Sequence, residues 1–167
     1  MDDRTRDALI ALLPRLRRFA YGLSGSADEG DDLVQAACER ALSRLHQFEP
    51  GTRLDSWMFR IVQTLWIDGR RAVKRRGPAV PIETIEEFVG SDGARETEAK
   101  IGLAEVRRAV GALPDEQREV LMLVTVDGMS YREAAATLEI PIGTVMSRLA
   151  RARLALGRAV GHVAGAA

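Results

Sequence analysis

After Glu139 the chain carries no acidic side chain, yet it holds Arg148, Arg151, Arg153 and Arg158. A guanidinium forks onto phosphate oxygens or a guanine edge, so one-signed charge at this spacing suits a nucleic-acid surface. A basic exposed helix with no ligand is the less favoured reading of the same charge. A second basic group, Arg70, Arg71, Lys74, Arg75 and Arg76, falls in a stretch without an acid between Asp68 and Glu83. Net charge is silent, because 24 Lys and Arg balance 24 Asp and Glu; only their distribution speaks. Other chemistry is missing. His46, His162 and Cys38 make neither a metal set nor a nucleophile with its base. No glycine-rich phosphate loop occurs, and the acidic pairs Asp31-Asp32 and Glu86-Glu87 sit in a helix start and a linker. The expectation is a binder rather than an enzyme, with no cofactor, metal or small-molecule substrate.

The elements that must position the first basic group are legible. Ser130 offers a hydroxyl to the first amides of a helix over 131–138, and Glu133 can reach back to the Ser130 amide, completing a capping box. Pro141 lacks an amide hydrogen and pushes Ile140 out of the helical region, so Glu139-Ile140-Pro141 forms a turn. A longer helix starts near Ile142 and Gly143, which is helix-turn-helix spacing. On it Val145, Leu149, Ala152 and Leu156 share the packing face. Met146, Ser147, Ala150 and Arg151 point outward, with Arg148 and Arg153 on the flanks. The tail after Arg158 is expected to fray. Upstream, Leu121, Leu123 and Val124 of a helix over 114–126 pack beneath the motif, and a further helix covers 96–112.

The N-terminal part reads as helices over 4–12, 14–23, about 28–45 and about 54–75. Pro14 sits in a first turn, and Asp28 caps the third helix. Leu16, Phe19, Ala20 and Leu23, then Leu33, Ala37, Ala41 and Leu45, then Trp57, Met58, Ile61, Val62 and Leu65 are the expected core. Gln63, Arg70 and Lys74 project from the other side of the last helix. Residues 77–95 hold Gly77, Pro78, Pro81, Gly90 and Gly93 with acidic charge, the composition of a linker. The fold class is therefore all-α: two small helical domains joined by a flexible acidic linker, the C-terminal one containing a helix-turn-helix. The expected bounds are 1–76, 77–95 and 96–167. A single cysteine fits a reducing compartment, and no signal-peptide core or membrane-spanning run occurs, so the expected location is cytoplasmic, without membrane insertion.

The stretch SYREAAATLEIPIGTVMSRLARAR, preceded by LPDEQREVLMLVTVDGM, resembles region 4 of an extracytoplasmic-function (ECF) sigma factor of the sigma-70 family. GDDLVQAACERAL and LDSWMFRIVQTLWIDGRRAVKRR resemble region 2 of the same family, so the likeness covers nearly the whole chain. It implies that core RNA polymerase docks on Asp32, Gln35, Glu39 and Arg40. It implies that the promoter minus-ten element is opened and read by Phe48, Arg53, Arg60, Gln63, Thr64, Arg70, Arg71 and Lys74. The minus-thirty-five element falls to Thr144, Met146, Ser147, Arg148, Ala150, Arg151 and Arg153. It also implies an anti-sigma factor that holds the protein in check. Thr64 stands where the family often has Asn, Met146 where it has Lys or Arg, and Cys38 where it has an aromatic. Ala134 replaces the usual Ile, and Glu139 fills a turn position that favours Gly. The competing readings are a stand-alone helix-turn-helix regulator, which would share only the C-terminal half, and a polymerase-binding protein with no promoter of its own.

Overall fold

The computed structural model describes residues 3–49, 51–76 and 94–164. In order they form α1 (Asp3–Ser24), α2 (Ala27–Ser43), a 3-10 turn (Leu45–Gln47), α3 (Leu54–Arg76) and α4 (Ala94–Gly111). Then come α5 (Asp115–Leu121), a π-helical turn (Met122–Val126), α6 (Tyr131–Leu138) and α7 (Ile142–Ala164). The described residues hold no strand. The expected linker lies outside them except at residues 94 and 95, which already belong to α4.

Several local expectations are corrected. Residues 4–23 form one helix with Pro14 inside it, not two. The carbonyl that Pro14 leaves without an amide is that of Ile10, a residue 57% exposed, so water can replace the lost bond. Leu12, Leu16, Phe19, Ala20 and Leu23 keep one buried stripe running past the proline. Ser26 rather than Asp28 caps α2: its side chain accepts from the Glu29 amide at 3.4 Å. Met58, Phe59, Val62 and Trp66 are the buried face of α3, while Trp57, Ile61 and Leu65 pack around its edge. The tail expected to fray is helical to Ala164.

The helix after Pro114 does not run as a regular α-helix to Val126. It widens into the π turn, closed by the Asp127 amide donating to the Met122 carbonyl at 3.0 Å. Gly128, at φ 78°, then reverses the chain into α6.

The larger surprise is that the N-terminal half, α1–α3, and the C-terminal half, α4–α7, are packed together. Their buried residues form one connected apolar cluster, from Leu12 through Trp66 to Met122, Leu149 and Ala152. Two glycines let backbones approach. A Cβ on Gly30 would lie 3.1 Å from the Tyr21 nitrogen, and one on Gly22 would meet the Met122 sulfur at 2.1 Å. The first fixes α1 on α2; the second seats the π turn on α1.

One buried cation joins the halves. Arg118 of α5, 5% exposed, donates Nη1 to the Leu23 carbonyl at 2.7 Å and Nη2 to that of Leu113 at 3.1 Å. Nη2 also reaches the Gly111 carbonyl, and the guanidinium lies 5.5 Å from the centre of the Trp66 ring. Leu23 and Gly111 belong to the last turns of α1 and α4, whose carbonyls have no intrahelical amide. Burial pulls the Arg118 pKa below its ordinary value, against the attraction of Asp115. Arg118→Ala strands these acceptors and should lower unfolding stability by about 2–4 kcal/mol in urea titrations. Arg118→Lys, a point charge without the fork, should recover only part of the loss. An alanine variant as stable as the parent would show that water replaces the guanidinium without cost.

Candidate nucleic-acid interface

The helix-turn-helix is built as its sequence demands. The Glu133 amide donates to Ser130 Oγ at 3.2 Å, and the Ser130 amide donates to Glu133 Oε2 at 2.8 Å, so both halves of the capping box are present. At the end of α6 the Ile140 amide reaches the Ala135 carbonyl at 3.1 Å, with Glu139 in the left-handed region at φ 52°. For a residue with a Cβ that conformation costs roughly 1–2 kcal/mol. The Pro141 carbonyl then accepts from the Thr144 and Val145 amides at 2.9 and 3.2 Å, starting α7.

Val145, Leu149 and Ala152 of α7 are buried as expected, with Leu156 at the edge. Met146 (53% exposed), Ala150, Arg151 and Arg153 face solvent. Thr144, Ser147 and Arg148 are only half-exposed. Ser147 Oγ donates to the Thr144 carbonyl at 3.1 Å, so this serine engages its own helix rather than pointing freely outward.

The second group of candidate residues gathers along α3 and the loop before it. A cavity of about 180 Å³ is lined by Arg40, Arg44, Gln47, Trp57, Arg60, Ile61 and Thr64. Phe48 closes over Trp57, ring centres 5.2 Å apart, and Thr64 Oγ1 donates to the Arg60 carbonyl at 2.8 Å. Arg71 and Lys74 are exposed farther along the helix. The cavity thus offers three guanidiniums, an indole and two neutral polar groups: charge for phosphate and a flat face for a base. Arg44 and Gln47 were not singled out in the sequence, although Arg44 follows Arg40 by one helical turn and shares its face.

Carboxylates of the C-terminal half meet this face. Arg53 pairs with Glu133 and bidentately with Asp55 at 2.7 and 3.1 Å. Arg60 pairs with Glu139. Gln63 Nε2 donates to Glu119 Oε2 at 3.2 Å, and Arg70 approaches Asp115 at 3.3 and 3.4 Å. On α1, Arg15 holds Asp127 bidentately at 2.8 and 2.9 Å while lying over the Phe59 ring. The hydrogen bond from Arg53 is the main cause that pulls Glu133 down to about 2, and the same guanidinium lowers Asp55. Glu119 behaves oppositely. Burial pushes it up to about 7, against the Gln63 hydrogen bond and the charge of Arg148. Its Oε1 has no hydrogen-bonding partner among the described residues.

On α2, Asp32, Gln35 and Glu39 are exposed, and Gln35 Nε2 donates to Glu39 Oε1 at 3.1 Å. Arg40 is half-buried and belongs to the cavity wall. The described residues contain no cluster of metal-ligating side chains and no helix long and apolar enough to cross a membrane.

Residues 103–156 match the family model for sigma-70 region 4, and residues 9–63 match that for the sigma2 domain of PhyR. The chain is 38% identical over 153 residues to the ECF RNA polymerase sigma factor EcfG of Rhodopseudomonas palustris, covering 92% of this chain and 83% of that protein. Among solved structures it is similar to the sigma factor RpoE of Bartonella quintana, in a co-crystal with the anti-sigma factor NepR. That match has a TM-score of 0.78 and 29% identity, over 96% of this chain and 98% of that one. It is also similar to CnrH in complex with the cytosolic domain of CnrY, at a TM-score of 0.71 and 26% identity, over 96% and 90% of the two chains.

The raised pKa of Glu119 sets a pH dependence of known sign. Ionising this carboxyl costs more in the folded chain than in the unfolded one. Its contribution is therefore fully present below about 4.5 and is lost as pH rises through about 7. Glu133 and Asp55, with lowered values, act at more acidic pH and in the opposite direction. Glu119→Gln should flatten the pH dependence of stability between these limits and raise stability at pH 8 by on the order of 2 kcal/mol. Urea unfolding across a pH series reads both; an unchanged slope would show that Glu119 titrates normally.

Proposed function

Because the chain belongs to the extracytoplasmic-function sigma factors of RNA polymerase, we propose that its two basic surfaces read the two promoter elements. It binds core RNA polymerase and directs promoter-specific initiation of transcription, and it is held in check by an anti-sigma factor. One of the similar solved structures holds the anti-sigma factor NepR, and another the cytosolic domain of CnrY. It acts in the cytoplasm as an initiation factor and catalyses no reaction of its own.

Residues 1–76 are the polymerase-binding and minus-ten unit, and residues 96–167 the minus-thirty-five unit. The observation that carries this reading is the presence, in one chain, of two unlike sites. One is a capped helix-turn-helix whose second helix has a one-signed outer face. The other is an arginine- and aromatic-lined cavity beside a basic helix. A stand-alone regulator needs only the first. The cavity suits an unstacked base of the opened strand, with Trp57 as a stacking face and Arg60 and Arg44 for the adjoining phosphates. Arg53, Gln63, Thr64, Arg70, Arg71 and Lys74 continue that track, with Phe48 buttressing Trp57. Asp32, Gln35 and Glu39 form the polymerase face, with Arg40 at its border.

On α7, Arg151 is exposed on the side that Ser147 and Leu154 share, opposite the buried stripe of Val145, Leu149 and Ala152, a position for reading a base edge. Arg153 lies in line with Met146 at the border of that stripe and suits a phosphate. Arg151→Ala should cost about 1–3 kcal/mol on the preferred promoter and relax preference at one position. Arg153→Ala should weaken all promoters alike and reduce the salt slope by about 1. Holoenzyme binding across single-base promoter changes at two salt concentrations separates these; swapped behaviour would rotate α7 in the groove. Gln35→Ala with Glu39→Ala should weaken competition for core polymerase while leaving the helical content unchanged. The general test is run-off transcription from genomic fragments by bacterial core polymerase, with and without this protein. Transcripts that start only in its presence support the reading. Tight duplex binding by the free chain with no transcripts would instead support the stand-alone regulator.

A further inference from the structure

The α3 face assigned above to the minus-ten strand is occupied in this structure. Arg53, Arg60, Gln63 and Arg70 follow one another along a single side of the helix and the residue before it. Each meets a carboxylate of the C-terminal half: Glu133, Glu139, Glu119 and Asp115 in turn. Three of these contacts are ion pairs and the fourth is a hydrogen bond from a neutral amide, and all four cross between the halves. Glu139 adds an independent sign. It occupies a left-handed turn position that glycine would fill without strain, and its carboxylate is the one that reaches Arg60. The outer face of α7, by contrast, remains open: Met146, Ala150, Arg151 and Arg153 are all exposed.

We propose that in the free chain the C-terminal half is a resident competitor for the promoter strand. Glu133, Glu139 and Asp115 stand in for its phosphates on Arg53, Arg60 and Arg70, so that the minus-ten face is masked while the minus-thirty-five face stays accessible. The proposal rests on the assignment of α3 to the minus-ten strand. The masking carboxylates are partly exposed, with Glu139 65% and Glu133 37% accessible, so each pair is individually weak and open to exchange. A polyanion or raised salt therefore competes for the same cations. Polymerase binding that draws the halves apart would release all of them together.

The test uses the full chain and a fluorescein-labelled single-stranded oligodeoxynucleotide, read by anisotropy. Glu133→Gln, which keeps the capping acceptor, is combined with Glu139→Gln and Asp115→Asn. A control with the same change in net charge carries Asp7→Asn, Asp28→Asn and Glu29→Gln. The masking variant should bind between about threefold and a hundredfold tighter than the control, with the gain shrinking as salt rises. Glu139→Gly alone removes a carboxylate and relieves the turn, so it should bind more tightly while melting no lower than the parent. Equal affinity of the masking variant and the control overturns the proposal. In parallel, Arg53→Ala with Arg60→Ala and Arg70→Ala is assayed in holoenzyme for promoter opening. If that variant opens promoters normally, the assignment of α3 fails. If it loses opening while the carboxylate variants gain nothing, the assignment stands and the masking alone is wrong.

Discussion

The closed arrangement of the chain turns on the Arg118 guanidinium. Burying a lone cation is expensive, and it is tolerated where several acceptors converge on it. Here those acceptors are carbonyls at the ends of α1 and α4 and in the loop after α4, with the Trp66 ring of α3 lying against the same cation. A helix end has carbonyls that need donors, and the two Nη groups of the Arg118 fork are spaced to serve two ends at once. The position of α5 relative to α1 and α3 is thereby fixed by hydrogen-bond satisfaction rather than by apolar area alone. Everything on the adjoining face inherits this placement. With α5 and its π turn held there, Asp127 falls on Arg15, Glu119 on Gln63 and Asp115 on Arg70.

The helix-turn-helix was legible residue by residue, since its signals are local. A capping box needs only Ser130 and Glu133, a turn only Pro141, and the packing face of α7 only the period of Val145, Leu149 and Ala152. The family resemblance then carried the polymerase and promoter roles, which no periodicity supplies. What sequence could not give was the meeting of the halves. Nothing in a linear reading links Arg118 to Leu23, or Arg60 to Glu139, because the contact depends on how two separately legible units dock. Pro14 was misread for a related reason. A proline is a local stop signal, yet the apolar stripe on both sides of it packs on one surface and carries the helix through. Trp66 and Phe59 were passed over as core because the expected stripe on α3 was set a fraction of a turn off; the side facing Arg118 and Phe19 was invisible without the neighbours.

The zero net charge takes on a different meaning in three dimensions. The C-terminal half is two-faced. Asp115, Glu119, Asp127, Glu133 and Glu139 lie toward the N-terminal half, while the arginines that follow Glu139 ride on α7. The sign changes at the turn between α6 and α7, so the same supersecondary unit presents acid to its own chain and base to solvent. A chain whose halves carried like charge on their facing surfaces would stand open. Opposed charge lines the rim of the junction here and leaves the basic outer face of α7 open to solvent.

Glu119 shows the limit of that attraction. Its partner across the junction is the neutral amide of Gln63, not a cation, and burial raises its pKa to about 7. The flanking pairs, Arg60 with Glu139 and Arg70 with Asp115, are by contrast ionic and partly exposed. The junction thus has a core held by Arg118 and apolar contact, a buried carboxyl within it that resists ionisation, and exchangeable ion pairs at its rim. Exchangeable pairs at a rim set how readily another anion can compete, while a buried core sets whether the halves stay together. The two properties reside in different residues, so masking and cohesion can be altered separately by substitution.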